Sequence, residues 1–183
     1  MIEKMDVPAL PARIAIAGPT GSGKSTLGRR IAAATGAVHI ELDALFHGPN
    51  WTPAETPAFR AAVADAVARP RWVSDGNYRA IRDLTWGSAD VVIWLDYPLP
   101  LILARLTRRT LGRWWNDEEL WNGNREELRT HLFTRESLFY WAVTTHYRHR
   151  RTYPAEFARC GAPWVVRIRR PRALEAYLVA HGL

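Results

Sequence analysis

Short apolar runs alternate along this chain with longer stretches whose apolar positions recur at helical spacing. Arg13-Ile14-Ala15-Ile16-Ala17 reads as a strand, followed by a glycine-rich turn and a helix over residues 24–35. Residues 37–42 predict a second strand and residues 43–53 a loop. Thr56-Pro57 then sets a capping hydroxyl and a proline at the start of a helix that ends near residue 68. Residues 71–74 predict a third strand, stopped by Asp75-Gly76-Asn77. Residues 91–95 predict a fourth, apolar throughout, as a strand covered by helices on both faces should be. Beyond Pro98 and Pro100 the pattern gives a helix to about residue 111, an arginine- and tryptophan-rich segment, and a long helix over about residues 125–149. A fifth strand over 164–168 and a closing helix over 173–181 complete the series.

Strands separated by helices from end to end require a parallel sheet with right-handed crossovers, hence a three-layer α/β domain. Ligands of such sheets bind beyond the carboxyl ends of the strands. That directs attention to Gly18 onward, Asp43, Asp75 and Asp96. A chain of 183 residues fits one domain, with residues 108–151 as a lid-like insertion between the fourth and fifth strands.

Composition narrows the class. A hydrophobic fraction of 48% gives the chain enough apolar surface to offset ordering entropy, which excludes a disordered protein. The run 91–95 is too short to span a bilayer, and residues 1–11 lack the apolar stretch of a secretory signal. Cys160 is the only cysteine, so no internal disulfide forms, which suits a reducing cytoplasm. The net charge of +7 comes almost wholly from arginine, since Lys4 and Lys24 are the only lysines. Such a field attracts polyanions, either nucleic acid or phosphorylated small molecules, and the arginine fork suits phosphate oxygens in both.

The strongest chemical signal is Gly18-Pro19-Thr20-Gly21-Ser22-Gly23-Lys24-Ser25, an ungapped G-x-x-x-x-G-K-[ST] between a strand and a helix. Gly18, Gly21, Ser22 and Gly23 let the backbone wrap a phosphate with its N–H groups turned inward, and the helix adds its positive end. Lys24 is the residue for the β and γ phosphates of ATP, Ser25 for Mg²⁺, and Thr26 for the α phosphate. The dinucleotide fingerprint is absent, because Thr26 stands where its last glycine belongs.

Farther along, Trp72-Val73-Ser74-Asp75-Gly76-Asn77-Tyr78-Arg79 resembles the D-G-F-P-R segment of adenylate kinases. The stretch from Val92 through Asp96-Tyr97-Pro98 to Arg105 and Arg109 resembles the F-D-V-P-x-x-L-x-x-D-R-I-x-x-R of the same family. Leu42-Asp43-Ala44-Leu45-Phe46 together with Asp75-Gly76-Asn77-Tyr78 is similar to the topology-modulation (FlaR-type) branch of adenylate-kinase-like P-loop proteins. The resemblance implies a P-loop kinase-type fold whose five-stranded parallel sheet has the order 2-3-1-4-5, with a helical lid. It implies that Asp75 organises the Mg²⁺ shell, that Asn77 and Arg79 serve the acceptor side, and that Arg105 stacks on the adenine. Arg109 would contact the phosphates and Pro171 would close the base pocket. Residues 39–47 lack the arginine that adenylate kinases use for the AMP phosphate, and Tyr78 replaces a proline of the motif. The aspartate at 43 is instead similar to that of shikimate- and gluconate-type kinases.

Asp43 is either the general base for an acceptor hydroxyl or the cap of a turn. Asp96 has no evident role beyond ending a strand. Trp114, Trp115, Trp121 and Trp141, interleaved with arginines, read as packing for the lid in preference to a stacking platform for single-stranded nucleic acid. His131, His146 and His149 lack metal-ligand company and read as surface or core. Among the lid arginines, Arg129, Arg135 and Arg150 read as solvated, whereas Arg109, Arg148 and Arg151 are expected to close over the triphosphate. The expected activity is phosphate transfer from ATP·Mg²⁺ to a small-molecule acceptor. The alternatives are hydrolysis to water, or a nucleotide-binding regulator linked to nucleic acid. No membrane contact is expected, and the oligomeric state is not legible.

Overall fold

The computed structural model describes residues 11–115, 122 and 138–183. Five strands, β1 (Arg13–Ala17), β2 (Val38–Glu41), β3 (Trp72–Asp75), β4 (Val91–Leu95) and β5 (Val165–Ile168), form one sheet. Every pairing is parallel, in the order β2-β3-β1-β4-β5. In register, Ile16 of β1 lies opposite Asp75 and Ile93, and Asp75 lies opposite Glu41. The carboxyl ends of β1, β2 and β3 therefore finish level with one another, at the edge where the glycine-rich loop begins.

Period-two alternation divides the core. Ile14 and Ile16 face Leu27 and Ile31 of α1 (Lys24–Thr35), Ile102 and Leu106 of α5 (Leu99–Trp115), and Tyr177 and Leu178 of the closing helix. Ala15 and Ala17 face the opposite layer, built from Phe59 and Val63 of α3 (Thr56–Val67) and from Tyr153 and Phe157. The alanines make room on that face for bulk from neighbouring strands, since Ala17 is in register with the buried Trp94.

Several elements depart from the sequence expectation. The segment 43–53 is not all loop: α2 (Leu42–Phe46) occupies its start, buries Leu42, and places Asp43 in its first turn. A helix this short completes barely more than one turn, so it leaves no periodic signature. The strand predicted over 71–74 extends to Asp75, which is thus a strand residue, buried at 2% exposure. Helix α5 continues to Trp115, beyond the predicted end near 111.

The long helix is displaced most. The helix α6 (Leu138–Arg159) runs ten residues past the predicted end at 149 and through Pro154. His149, Tyr153 and Phe157, four residues apart, continue its buried stripe: Tyr153 and Phe157 pack on Trp86, just after α4 (Arg82–Thr85), with ring centroids 5.2 and 4.6 Å away, and His149 stacks on Tyr153. Burying that stripe outweighs the roughly 3 kcal/mol cost of a helix-interior proline. The predicted stretch 125–137 lies outside the described residues, as do Trp121, Arg125, Arg129, His131 and Arg135. The closing helix, α7 (Pro171–Ala180), begins two residues earlier than expected, with Pro171 in its first turn.

Candidate active site

The loop 18–23 joins β1 to α1 with three glycines at positive φ, Gly18 at 154°, Gly21 at 77° and Gly23 at 91°. Gly23 is also the N-cap of α1, so the first free N–H groups of the helix open into the loop. The side chain of Lys24 lies back over the loop and donates from Nζ to the carbonyl of Pro19 at 3.1 Å. Asn77, just after β3, clamps the start of the loop. Its Oδ1 accepts from Gly18 N at 3.1 Å, and its Nδ2 donates to the Gly18 carbonyl. Arg105 of α5 donates to the carbonyl of Ser22 at 3.1 Å while its guanidinium lies 5.0 Å over the Tyr97 ring.

Asp75 is the hub of a polar cluster beside the loop. The Ser25 hydroxyl donates to Oδ1 of Asp75 at 3.2 Å, and His39 Nε2 lies 2.7 Å from its Oδ2. The other ring nitrogen of His39 lies 3.4 Å from Glu41, which pairs in turn with Arg29 at 3.6 Å. Gly28, inside α1, is what admits the imidazole: a Cβ there would stand 2.8 Å from His39 Cδ2 and 3.2 Å from Asp75 Oδ2. A hydroxyl and a carboxylate side by side are the hard oxygen donors that Mg²⁺ takes beside phosphate and water. Ser25 and Asp75 thus fit that metal, although no group of three or more His, Cys, Asp or Glu side chains among the described residues forms a full protein cage.

Asp43 faces the same mouth from α2. Tyr78 donates its hydroxyl to Asp43 Oδ1 at 2.6 Å and lies 3.4 Å from His47 Nε2. Burial, reinforced by the adjacent carboxylate of Asp43, pushes the Tyr78 phenol well above its ordinary range, so it stays a donor. Lys24 is pushed below the usual lysine range, chiefly by burial and further by Arg109, with Asp43 and Asp75 opposing. Lys24, Asp43, Asp75 and Arg109 therefore share one electrostatic field, although they come from four separate elements.

The arginines of α6 divide differently from the sequence expectation. Arg150, read as solvated, donates from Nε to Oδ1 of Asp96 at 2.6 Å, and Arg167 of β5 donates from Nη2 to Oδ2 at 2.6 Å. Asp96, 3% exposed, is thus the anchor that ties α6 and β5 to the end of β4. Arg148 and Arg151 are exposed, with the Arg148 guanidinium 5.6 Å over the Trp141 ring. Arg79 does not appear among the contacts of Asp43 and lines a separate surface cavity. His149 is buried against Tyr153, with ring centroids 4.4 Å apart, and is close enough to feel the charge of Lys24.

No protein-family model matches the chain, and no curated protein matches it. Solved structures do. The fold is similar to a shikimate kinase from Acinetobacter baumannii in complex with shikimate, with a TM-score of 0.53, 19% identity, and coverage of 94% of each chain. It is similar to a gluconokinase from Sinorhizobium meliloti 1021 at a TM-score of 0.53 and 22% identity, covering 96% of this chain and 91% of that one. A shikimate kinase from Bacteroides thetaiotaomicron gives a TM-score of 0.54 at 13% identity, covering 95% of this chain and 100% of that one. The likeness is one of fold: the five-stranded parallel sheet in the order β2-β3-β1-β4-β5, with its helices, matches those solved structures along nearly their whole length.

Proposed function

We propose that the chain is an ATP-dependent phosphotransferase that passes the γ phosphate to a hydroxyl of a small polar acceptor. The observation that supports this best is the glycine-rich loop with Lys24 folded over it, flanked by the Ser25–Asp75 and Tyr78–Asp43 hydrogen bonds. Lys24 leaves the Pro19 carbonyl for the β and γ oxygens, whose charge compensates the ammonium's burial. Gly18, Gly21, Ser22, Gly23 and Thr26 hold the phosphates, Arg105 lies along the base, and Pro171 closes the base pocket. Mg²⁺, held by Ser25 and Asp75, neutralises phosphate charge when bound. Tyr78 fixes one oxygen of Asp43, and the second takes the acceptor's proton. The acceptor oxygen forms its bond to the γ phosphorus as the bridge to the β phosphate breaks, releasing ADP.

The insertion at 108–151 serves as the lid, with Arg109, Arg148 and Arg151 as its phosphate-facing charges. The similarity to a shikimate kinase and a gluconokinase favours a hydroxylated carboxylic acid as acceptor, and the lack of an arginine in 39–47 disfavours AMP. The test is ADP release from ATP·Mg²⁺ against a panel that includes shikimate and gluconate, with Lys24→Ala as the blank. Turnover indistinguishable from that blank with every acceptor would reject the reading.

A second reading rests on the net charge of +7: a nucleotide-binding regulator of the topology-modulation type that engages DNA or RNA without kinase activity. Salt-dependent duplex binding that persists in Lys24→Ala, without acceptor-stimulated ADP release, selects it.

A further inference from the structure

A second concave site lies away from the phosphate-binding loop, between α3, α6 and the segment after β3. The cavity is about 280 Å³ and is lined by Arg60, Arg79, Ala80, Arg82, Asp83, Arg159 and Cys160. None of Lys24, Asp43 or Asp75 belongs to it. Four guanidinium groups around a space this small are expensive to assemble unless something offsets their repulsion. The carboxylates present offset only two. Arg60 is held by Asp83 through two bonds of 2.9 and 2.7 Å, and Arg82 is held by Glu156. Arg79 and Arg159 form no ion pair among the described residues, which leaves two unmatched positive charges at the rim.

Two further observations show a built surface in place of a chance gathering of solvated side chains. Arg82 is only 7% exposed, and its Nε has no hydrogen-bond partner among the described residues. Its guanidinium is fixed on the Trp86 ring at 4.5 Å and by a bond to the Asn77 carbonyl at 3.1 Å. Arg60 is equally fixed, by Asp83 and by the Ala80 carbonyl. Both guanidinium groups are thereby held in place, and the N–H groups that Asp83, Glu156 and the two carbonyls do not take are set for an anion without further loss of side-chain freedom. Cys160 adds no charge, because burial pushes its thiol up.

The geometry points to a second anion site, for a phosphate monoester group, separate from the nucleotide loop. The volume lies just under the range of ordinary small-molecule pockets, so it suits a phosphate head group and not a whole nucleotide. Arg79 and Arg159 supply the charge, and Arg82 and Arg60 supply the fixed floor.

The probe is inorganic phosphate, titrated calorimetrically into protein already saturated with a non-hydrolysable ATP analogue and Mg²⁺, at ionic strength held constant with chloride. One saturable binding event is expected. Arg159→Ser and Arg79→Ser, both exposed positions that leave the core intact, should each weaken it at least tenfold, whereas Arg172→Ser, an exposed arginine of α7, should not. Absence of saturable binding overturns the assignment. So does binding that survives both substitutions, which would place the phosphate in the acceptor cleft, and so does equal weakening by Arg172→Ser, which would reduce the effect to net charge. Nucleotide saturation is verified first, so failure here is separable from failure of the kinase reading.

Discussion

His39 Nε2 lies 2.7 Å from Asp75 Oδ2, and the contact exists because residue 28 is glycine. A glycine in the interior of α1 costs about 1 kcal/mol relative to alanine. What it gains is room for the imidazole that orients the carboxylate toward Ser25. Gly28→Ala in the wild type should therefore displace His39 and destabilise the protein by about 1–3 kcal/mol, the usual cost of overpacking. In a His39→Ala background most of that penalty should disappear, leaving only the 3.2 Å approach to Asp75 Oδ2 against a helix-propensity gain of about 1 kcal/mol. Denaturant unfolding of the four proteins measures the coupling, and additive effects would show that the two residues do not meet.

Tyr78 and Asp43 form the corresponding pair, 2.6 Å apart, on the side proposed for the acceptor. Asp43→Asn removes the proton acceptor and should lower kcat by roughly 10²–10⁴, the range for general-base catalysis, while ATP affinity stays within about twofold. Tyr78→Phe keeps the carboxylate but frees its orientation, so a loss of about tenfold is expected, again in kcat. Equal losses in ATP affinity would move both residues to the nucleotide side.

The parallel sheet and the loop were legible because their signals are local: an unbroken apolar run at 91–95, and an eight-residue motif whose geometry depends on its own glycines. Asp75 was legible as a strand-end residue for the same reason. The partners of these residues were not. His39 meets Asp75 only through the pairing of β2 with β3, Tyr78 meets Asp43 across 35 positions, and Arg150 meets Asp96 across 54. A helical glycine among good helix formers, Gly28, was the one sequence clue to such a contact. The end of α6 was missed because Pro154 reads locally as a terminus, while the packing of Tyr153 and Phe157 on Trp86 is tertiary.

Asp96 shows how much such a tertiary contact carries. Its carboxylate, 3% exposed, takes Arg150 on one oxygen and Arg167 on the other. Breaking a buried pair costs about 3–5 kcal/mol, and partial exposure of both arginines lowers that to roughly 2–3 kcal/mol here. Asp96→Asn should therefore shift the denaturant midpoint strongly. The double substitution Arg150→Met with Arg167→Met should cost at least as much, because it leaves the buried Asp96 carboxylate without a partner; a far smaller cost would show that these arginines are not what holds the carboxylate.

The pH dependence of stability should trace to His149. Burial, and then the charges of Arg148, Arg82 and Lys24, push its pKa from 6.5 down to about 3, with His146 acting in the same direction. The folded protein thus keeps the ring neutral, while the unfolded chain takes up a proton below about pH 6.5. The sign follows: this contribution is fully present above pH 6.5 and is lost as pH falls toward 3. At pH 5 the loss amounts to about 2 kcal/mol, from 1.36 kcal/mol per pH unit over about 1.5 units. His149→Phe retains a ring to stack on Tyr153 and removes the ionisable group, including an Nδ1 that has no hydrogen-bond partner among the described residues. The melting temperature of the wild type should fall about 4–8 °C further than that of the variant between pH 7.5 and pH 5. His146 is present in both proteins, so its own acid sensitivity cancels in the comparison. Parallel pH profiles would mean that the folded protein protonates His149 as readily as the unfolded chain does, and that burial does not hold the ring neutral.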